Sequence, residues 1–418
     1  MNICFLCRNF HKDSGGTETF TVNFTRALAE AGHCVHILCQ DRGDLNRGRL
    51  GGPPPSMDSL EPGEARPPEA GGSVFVHHVK FNDHPFPGAW TVEKYFPLED
   101  LRYSSAVART IDAVHSRYPL DIIETFDYFR QGFVYARRRR RVPVFLRLHG
   151  WFFNRTQGRV DPWPTLSFKE KISWRMQRDT LIKADGVAAV AADTGDFVKQ
   201  VWRINRDIKT IYNAVDSQSF APGGEKDPCQ ILFSGRLIPR KGIDVLAEAM
   251  PLVIKEFPGV TLAVAGADAL SDNGIQNSQM LRDRIGLKHV EYLGQLTQDQ
   301  LKFWLRKSSI LVMPSLDEAF PMSALEAMAS GCALIASAVG GLKELIDHEE
   351  DGLLVDPGNA PMLANAIARL LKDPALCRDL ASKGLEKVRT TYSHKRLVEE
   401  SMESYRTAIK AWTNPEQF

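Results

Sequence analysis

Short apolar runs alternate along the chain with stretches whose apolar residues recur every three to four positions. "NICFLC" reads as a strand, "ETFTVNFTRALAEAG" as an amphipathic helix and "CVHILCQ" as the next strand. The alternation returns with "SVFVHHVKF", a helix near 101–117, "LDIIETF", "VPVFLRLHG", a helix around 168–184, "GVAAVAA" and "IKTIYNAVD". A second series starts at "CQILFSGRL" and a helix from about Ile243. It runs on through "VTLAVAGAD", "VEYLGQL", "SSILVMPS", "CALIASAVG" and "DGLLVDP". Strands separated by helices predict parallel sheets covered on both faces. Residues 42–73 break the rhythm with dense Pro and Gly, which predicts a mobile surface loop.

The pattern therefore predicts an α/β protein of two doubly wound, Rossmann-like domains. With 418 residues the chain exceeds one ordinary core. Residues 1–213 form the first domain in this reading and 214–393 the second, with a hinge near 213–220. The stretch "SHKRLVEESMESYRTAIKAW" is one more amphipathic helix. Its apolar stripe needs a partner and the second sheet already has enough helices, so 394–418 is expected to cross back to the first domain. Ligands of such sheets bind beyond the carboxyl ends of the strands, and two facing halves would share one cleft.

Composition narrows the class. The chain is 43% hydrophobic and 25% charged, as in soluble globular proteins, and has no apolar run of the roughly 18–20 residues that a membrane span needs. The apolar stretch in "MNICFLCRNF" is too short for a signal-peptide core, and seven cysteines, an odd number, point to a reducing cytoplasm. Cys4 and Cys7 make a C-x-x-C pattern inside a strand, where residues three apart face opposite sides; core thiols are the reading. Net charge is +1, with 30 basic against 24 acidic residues in 1–210 and 22 against 27 thereafter. That mild asymmetry gives no footprint for nucleic acid. The basic run 137–141 suits a solvated helix end, or an acidic acceptor or anionic membrane surface met peripherally.

The candidate chemistry sits where strands turn into helices. Gly15 and Gly16 follow the first strand, as a tight turn or as a close approach to an anion at a helix N-terminus. In "LFSGRLIPRKGIDVL", Gly235 and Arg236 follow a strand and Lys241 precedes a helix. A planar fork and a mobile point charge there suit a diphosphate, with Arg240 a less defined third cation. In "SLDEAFPMSALEAMASG", Pro321 at the first helical position would leave the N–H groups of Met322, Ser323 and Ala324 free for phosphate. Glu326 on the second turn can accept from the vicinal hydroxyls of a ribose, and Glu318 in the preceding loop from those of a sugar. A nucleotide diphosphate-sugar asks for that set.

Together "SGGTE", the His149–Gly150 pair after a strand, "IYNAVD", "GRL…KG", E-x7-E and "VGGLKELI…DGLLV" resemble the retaining nucleotide-sugar glycosyltransferases of family 4, with the GT-B fold. The resemblance spans nearly the whole chain. It implies that Arg236 and Lys241 bind the donor diphosphate and stabilise the leaving group. It implies further that Glu326 holds the ribose, Glu318 the donor sugar and Gly16 the diphosphate from the other side. His149 matches the histidine near the reacting carbon, and Leu296 lies where the base stacks. No metal and no cofactor are implied, and retention without a placed nucleophile suggests front-side attack. The acceptor is open: a glycan, a lipid carrier or a small molecule. Asp127 is a candidate acceptor contact or a helix cap. Ala191–Ala192 stand where relatives often place a serine. The rival readings are a GT-B epimerase or phosphorylase, and a non-catalytic nucleotide-sugar-binding protein.

Overall fold

The computed structural model describes residues 1–10, 16–40, 72–81, 94–139, 141–150, 166–271 and 274–414. Gly15 and residues 42–71 of the Pro/Gly loop lie outside them.

The first domain contains β1 (Asn2–Leu6), α1 (Gly16–Glu30), β2 (Cys34–Gln40), β3 (Val74–Val79), α2 (Leu98–Arg117), β4 (Ile122–Phe126) and α3 (Phe133–Ala136). It continues with β5 (Val144–Leu148), α4 (Phe168–Lys183), β6 (Gly186–Ala189), α5 (Ala192–Trp202) and β7 (Lys209–Thr210). The second contains β8 (Asp227–Ser234), α6 (Ile243–Glu256), β9 (Thr261–Ala265), α7 (Asn277–Ile285), β10 (Val290–Gly294), α8 (Gln298–Lys307) and β11 (Ser308–Met313). After these come α9 (Met322–Ala329), β12 (Ala333–Ser337), α10 (Leu342–Leu345), β13 (Leu353–Val355), α11 (Ala360–Lys372), α12 (Pro374–Thr391) and α13 (His394–Thr413).

Among the described residues the sheets run β3-β2-β1-β4-β5-β6-β7 and β10-β9-β8-β11-β12-β13, parallel throughout. Each sheet reverses its direction of winding once, between β1 and β4 and between β8 and β11. At such points adjacent loops leave to opposite faces and open a crevice. The segments after β1, β4, β8 and β11 are those that carry Gly16, Asp127, Arg236 and Glu318. Strand β1 and the residue after it illustrate the two-sided burial: Cys4 packs into the apolar cluster on one face and Cys7 into the cluster on the other. Burial raises both thiols, Cys7 to about 12.

Only Lys209–Thr210 of the apolar run "IKTIYNAVD" pairs as a strand. Ile211, Ala214 and Val215 are instead buried where the chain crosses between domains. The return crossing lies beside it, with the Val215 N–H donating to the Tyr392 carbonyl at 3.0 Å and a parallel bridge from Val215 to Ser393.

Helix α13 then packs on α1, β5 and β6 of the first domain. Its Tyr405 ring meets Phe145 edge-on at 5.1 Å, and a Cβ on Gly186 would sit 2.9 Å from that of Ala408. Beneath it lies a fully buried ion pair. Arg147 Nε donates to Glu124 Oε1 at 2.7 Å and its Nη2 to Ser401 Oγ at 3.0 Å, while the Tyr405 hydroxyl donates to Glu124 Oε2.

In the basic run, Arg137, Arg138 and Arg141 pair with Asp179, Asp112 and Asp185. Those three charges are answered within the domain. No helix among the described residues is long and apolar enough to cross a membrane.

Candidate active site

The second domain builds its half of the site by crowding backbone against glycine. Gly242 has a φ of +72°, and a Cβ there would lie 1.8 Å from the Pro314 carbonyl oxygen. The short 3-10 turn Pro239–Lys241 can therefore lie flat on the loop after β11, where the Leu316 N–H donates to the Arg240 carbonyl at 2.8 Å. That contact brings Lys241 Nζ within 2.5 Å of Glu318 Oε1, which also accepts from Ser315 Oγ at 2.8 Å. Arg240 pairs with Asp317 at 3.4 Å, so it has an acid of its own. Glu318 is buried, whereas Arg236, beside it after Gly235, is exposed. Loss of hydration and the nearby Arg240 lower the Arg236 pKa; Glu18 and Glu318 oppose them.

Helix α9 begins one residue later than the sequence suggests. Pro321 has an extended ψ of 130°, which makes it the N-cap and Met322 the first helical residue. No side chain among the described residues caps this end, so the first-turn N–H groups of Met322, Ser323 and Ala324 have no capping oxygen there. Glu326, one turn in, is 5% exposed; its carbonyl accepts from the Ser330 N–H at 3.0 Å, while no hydrogen bond among the described residues involves its carboxyl. Burial pushes its carboxyl up to about 7, against a smaller downward pull from Lys302.

A carboxyl whose folded value lies above its ordinary 4.5 gives stability that is fully present below 4.5 and lost as pH rises through about 7. Glu326→Gln should thus match the parent at pH 4 and exceed it at pH 8 by about 3 kcal/mol. Thermal denaturation at the two pH values checks this; the same difference at both would mean that the carboxyl is not desolvated.

From the first domain, Gly16 opens α1 exposed, and a Cβ there would meet nothing within 4 Å among the described residues. His149 follows β5 with its ring against Phe20 at 4.9 Å and Phe126 at 5.2 Å. Burial, then Arg147, pushes it down to about 3, so the imidazole is neutral near pH 7, and its Nε2 has no partner among the described residues. Asp127 is 1% exposed, and its two oxygens accept from the N–H groups of His149 and Gly150 at 3.0 and 2.9 Å. The carboxylate thus braces the turn that presents His149, and among the described residues it caps no helix, since the N-cap of α3 is Gly132.

The halves meet at this turn. Gly150, at φ +73°, is so near the second domain that a Cβ would lie 3.1 Å from Ala319 Cβ. The residues next to His149 and Glu318 therefore touch across the cleft. Asn213 Nδ2 donates to the Phe320 carbonyl at 2.8 Å, and the Glu18 charge on the first turn of α1 reaches Arg236. Leu296, after β10, is half-buried and packs on the apolar cluster that includes α9. Thus the Gly235–Lys241 turn, Glu318 and the start of α9 lie together in the second domain, and the His149–Gly150 turn and the first turn of α1, which begins at Gly16, meet them from the first. Glu326 lies within α9, and Leu296 packs at its side.

Residues 14–219 match the family described as Glycosyltransferase Family 4, and residues 215–387 match Glycosyl transferases group 1. The D-inositol 3-phosphate glycosyltransferase of Pseudarthrobacter chlorophenolicus is 31% identical over 420 residues, covering 95% of this chain and 91% of that protein. The chain belongs to family 4 of the GT-B glycosyltransferases. An uncharacterized glycosyltransferase of Methanocaldococcus jannaschii is 31% identical over 218 residues, but the match spans only 55% of that protein and 49% of this chain. Among solved structures, the sucrose-phosphate synthase of Thermosynechococcus elongatus superposes with a TM-score of 0.73 at 21% identity, over 98% of this chain and 99% of that one. Anabaena HepE in complex with UDP-glucose gives 0.68 at 18% identity, over 97% and 100%.

This GT-B glycosyltransferase also uses residues that sequence reasoning passed over. Ser315 fixes Glu318, and Glu18 faces Arg236 from the other domain. Glu18 stood inside "SGGTE" and Ser315 three residues before Glu318, so position alone offered a hint. Among the described residues no group of three or more His, Cys, Asp or Glu side chains could hold a metal ion.

Proposed function

We propose that this glycosyltransferase moves a sugar, with retention, from a nucleotide diphosphate-sugar to a hydroxyl acceptor. One observation carries the reading. Lys241 and Arg236 lie beside Glu318, just ahead of an α9 start whose N-cap Pro321 offers no capping side chain, with the buried carboxyl of Glu326 one turn into the same helix. The ribose hydroxyls would bond Glu326, and the diphosphate would take the α9 N–H groups and both cations. Lys241 then shifts from Glu318 towards phosphate, which frees Glu318 for the sugar hydroxyls. Neutral His149 would bond the sugar from the far side, and Gly16 leaves room for the diphosphate. Leu296 would border the base.

Front-side attack fits the roles of these carboxylates. Glu318 is tied to Lys241 and Ser315, and Glu326 belongs to the ribose end, so neither is assigned as a nucleophile. As the glycosidic bond breaks, negative charge grows on the diphosphate, which Arg236 and Lys241 stabilise, while its oxygen takes the acceptor proton. Water exclusion by closure of the cleft limits hydrolysis. The reaction is placed in the cytoplasm, with neither metal nor cofactor assigned a part.

UDP-glucose is the first donor to test, because HepE was solved with it, and D-inositol 3-phosphate the first acceptor, from the name of the relative that aligns over most of the chain. The expected result is acceptor-dependent release of nucleotide diphosphate and an α-configured product. A panel of donors that yields only isomerised nucleotide sugar, or only sugar 1-phosphate with phosphate present, would favour the epimerase or phosphorylase reading. Turnover should also survive excess EDTA, since cationic side chains and helix N–H groups answer the leaving charge. Activity lost in chelator and regained with Mg²⁺ or Mn²⁺ would contradict that.

A further inference from the structure

Glu344, in the motif "VGGLKELI", has no part in the donor site above. It lies on α10 of the second domain, yet its carboxylate crosses to the first. Oε2 accepts from the Ala192 N–H and Oε1 from the Asp193 N–H, both at 2.8 Å. These residues open α5, where first-turn N–H groups have no partner within the helix itself and the positive dipole end suits a carboxylate. The helix has no cap of its own, since Ala191 is the N-cap residue and offers no oxygen. An acid from the opposite domain stands where a local hydroxyl would usually serve.

Both ends of this contact are tied to the cleft. The Gly341 N–H donates to the Glu318 carbonyl at 3.4 Å, and a Cβ on Gly341 would lie 1.8 Å from the Ala319 carbonyl oxygen. Helix α10 and the Glu318 loop are thereby fused. On the other side, Thr194 in the first turn of α5 lies 3.7–3.8 Å from where a Cβ on Gly150 would stand, beside His149. Tyr212, on the segment between the domains, lies near the Glu344 carboxylate; burial and then that charge raise its phenol pKa, and its ring packs tilted against Phe320 at 5.0 Å.

We propose that Glu344 is a positioning residue that latches the two domains. By gripping the N-terminus of α5 it holds the His149–Gly150 turn against the Glu318 loop, and it must let go for donor to enter and nucleotide to leave. Two charge-assisted hydrogen bonds are at stake, so their loss should shift the closed-to-open ratio about tenfold or more towards open.

Glu344→Ala also uncaps α5, and a structural loss must be separated from an opened latch. The second variant, Glu344→Ala with Ala191→Ser, gives α5 a local cap but no grip on the other domain. Small-angle scattering of ligand-free protein is expected to show a larger radius of gyration for both variants, with thermal stability largely restored in the double variant. Should neither fold, Glu344→Gln keeps the shape without the charge and should shift the profile the same way, less far. A double or Gln variant as compact as the parent overturns the latch.

A second readout, UDP dissociation by stopped flow, rests on the donor reading. It should quicken about tenfold in the double variant. Expanded scattering with unchanged UDP dissociation would leave the latch standing and count against UDP as the ligand of this cleft.

Discussion

Lys241→Ala is expected to lower turnover about 10²–10³-fold, with donor affinity changed only a few-fold. In the ligand-free protein Lys241 already has an anionic partner, Glu318, at 2.5 Å. Binding a ground-state diphosphate exchanges one anion for another, so the net gain in affinity is small. In the transition state the leaving phosphate carries more charge than before, and there the ammonium has its full effect. Only interactions that strengthen on the way to the transition state raise turnover. Removing Lys241 also leaves Glu318 buried with Ser315 beside it, so Lys241→Ala with Glu318→Gln serves as the control for an unpaired carboxylate. Single-turnover kinetics separate the steps. A donor Kd raised a hundredfold with the chemical step unchanged would make Lys241 a ground-state binder and sink the assignment.

Arg236 and Glu326 should behave otherwise. Arg236 is exposed and its planar fork can grip the diphosphate in both the ground and the transition state, so its loss should affect affinity and rate together. In the proposed reading Glu326 holds the ribose, away from the breaking bond, and its loss should appear in donor affinity alone.

The architecture was legible because parallel strands buried on both faces read as apolar runs, and the intervening helices keep their 3.6-residue period. The helix expected near 101–117 is Leu98–Arg117, and that expected from about Ile243 is Ile243–Glu256. The opposite facing of Cys4 and Cys7 follows from the two-residue period of a strand. The run after Thr210 misled because a buried interdomain crossing is as apolar as a strand.

Of the cleft, what could be read was chemistry tied to a strand–turn–helix junction: Gly235, Arg236, Lys241 and the E-x7-E frame. What could not be read were side chains that serve backbone groups distant in sequence. Asp127 answers the N–H groups of residues 149 and 150, and Glu344 those of 192 and 193, pairings without any signature in residue type or spacing. The proline at 321 was read as a helix opener, but a ψ of 130° made it the cap, a distinction that sequence does not carry.

The ion pair under α13 was still further from view, since Tyr405 and Glu124 are 281 residues apart. It yields the largest expected effect on folding. Arg147 and Glu124 are both fully buried, and the guanidinium also lies over the rings of Phe20 and Phe24 at 5.4 and 5.2 Å. Breaking a buried pair by removing one member leaves the other charge without solvent or partner, at a cost of about 3–5 kcal/mol. Glu124→Ala should therefore unfold much of the protein at physiological temperature. Replacing both members by apolar residues, Glu124→Leu with Arg147→Met, should cost far less, because no charge stays behind. Chemical denaturation of the three proteins tests the argument, and equal losses in the single and double variants would overturn it. Deleting 394–418 takes away Ser401 and Tyr405 and leaves Glu124 and Arg147 facing water along β4 and β5. The truncated chain is expected to lose the first domain's cooperative unfolding and, with it, the setting of His149 two residues after Arg147. A truncated protein as stable and as active as the parent would mean that α13 neither seals the pair nor holds the cleft.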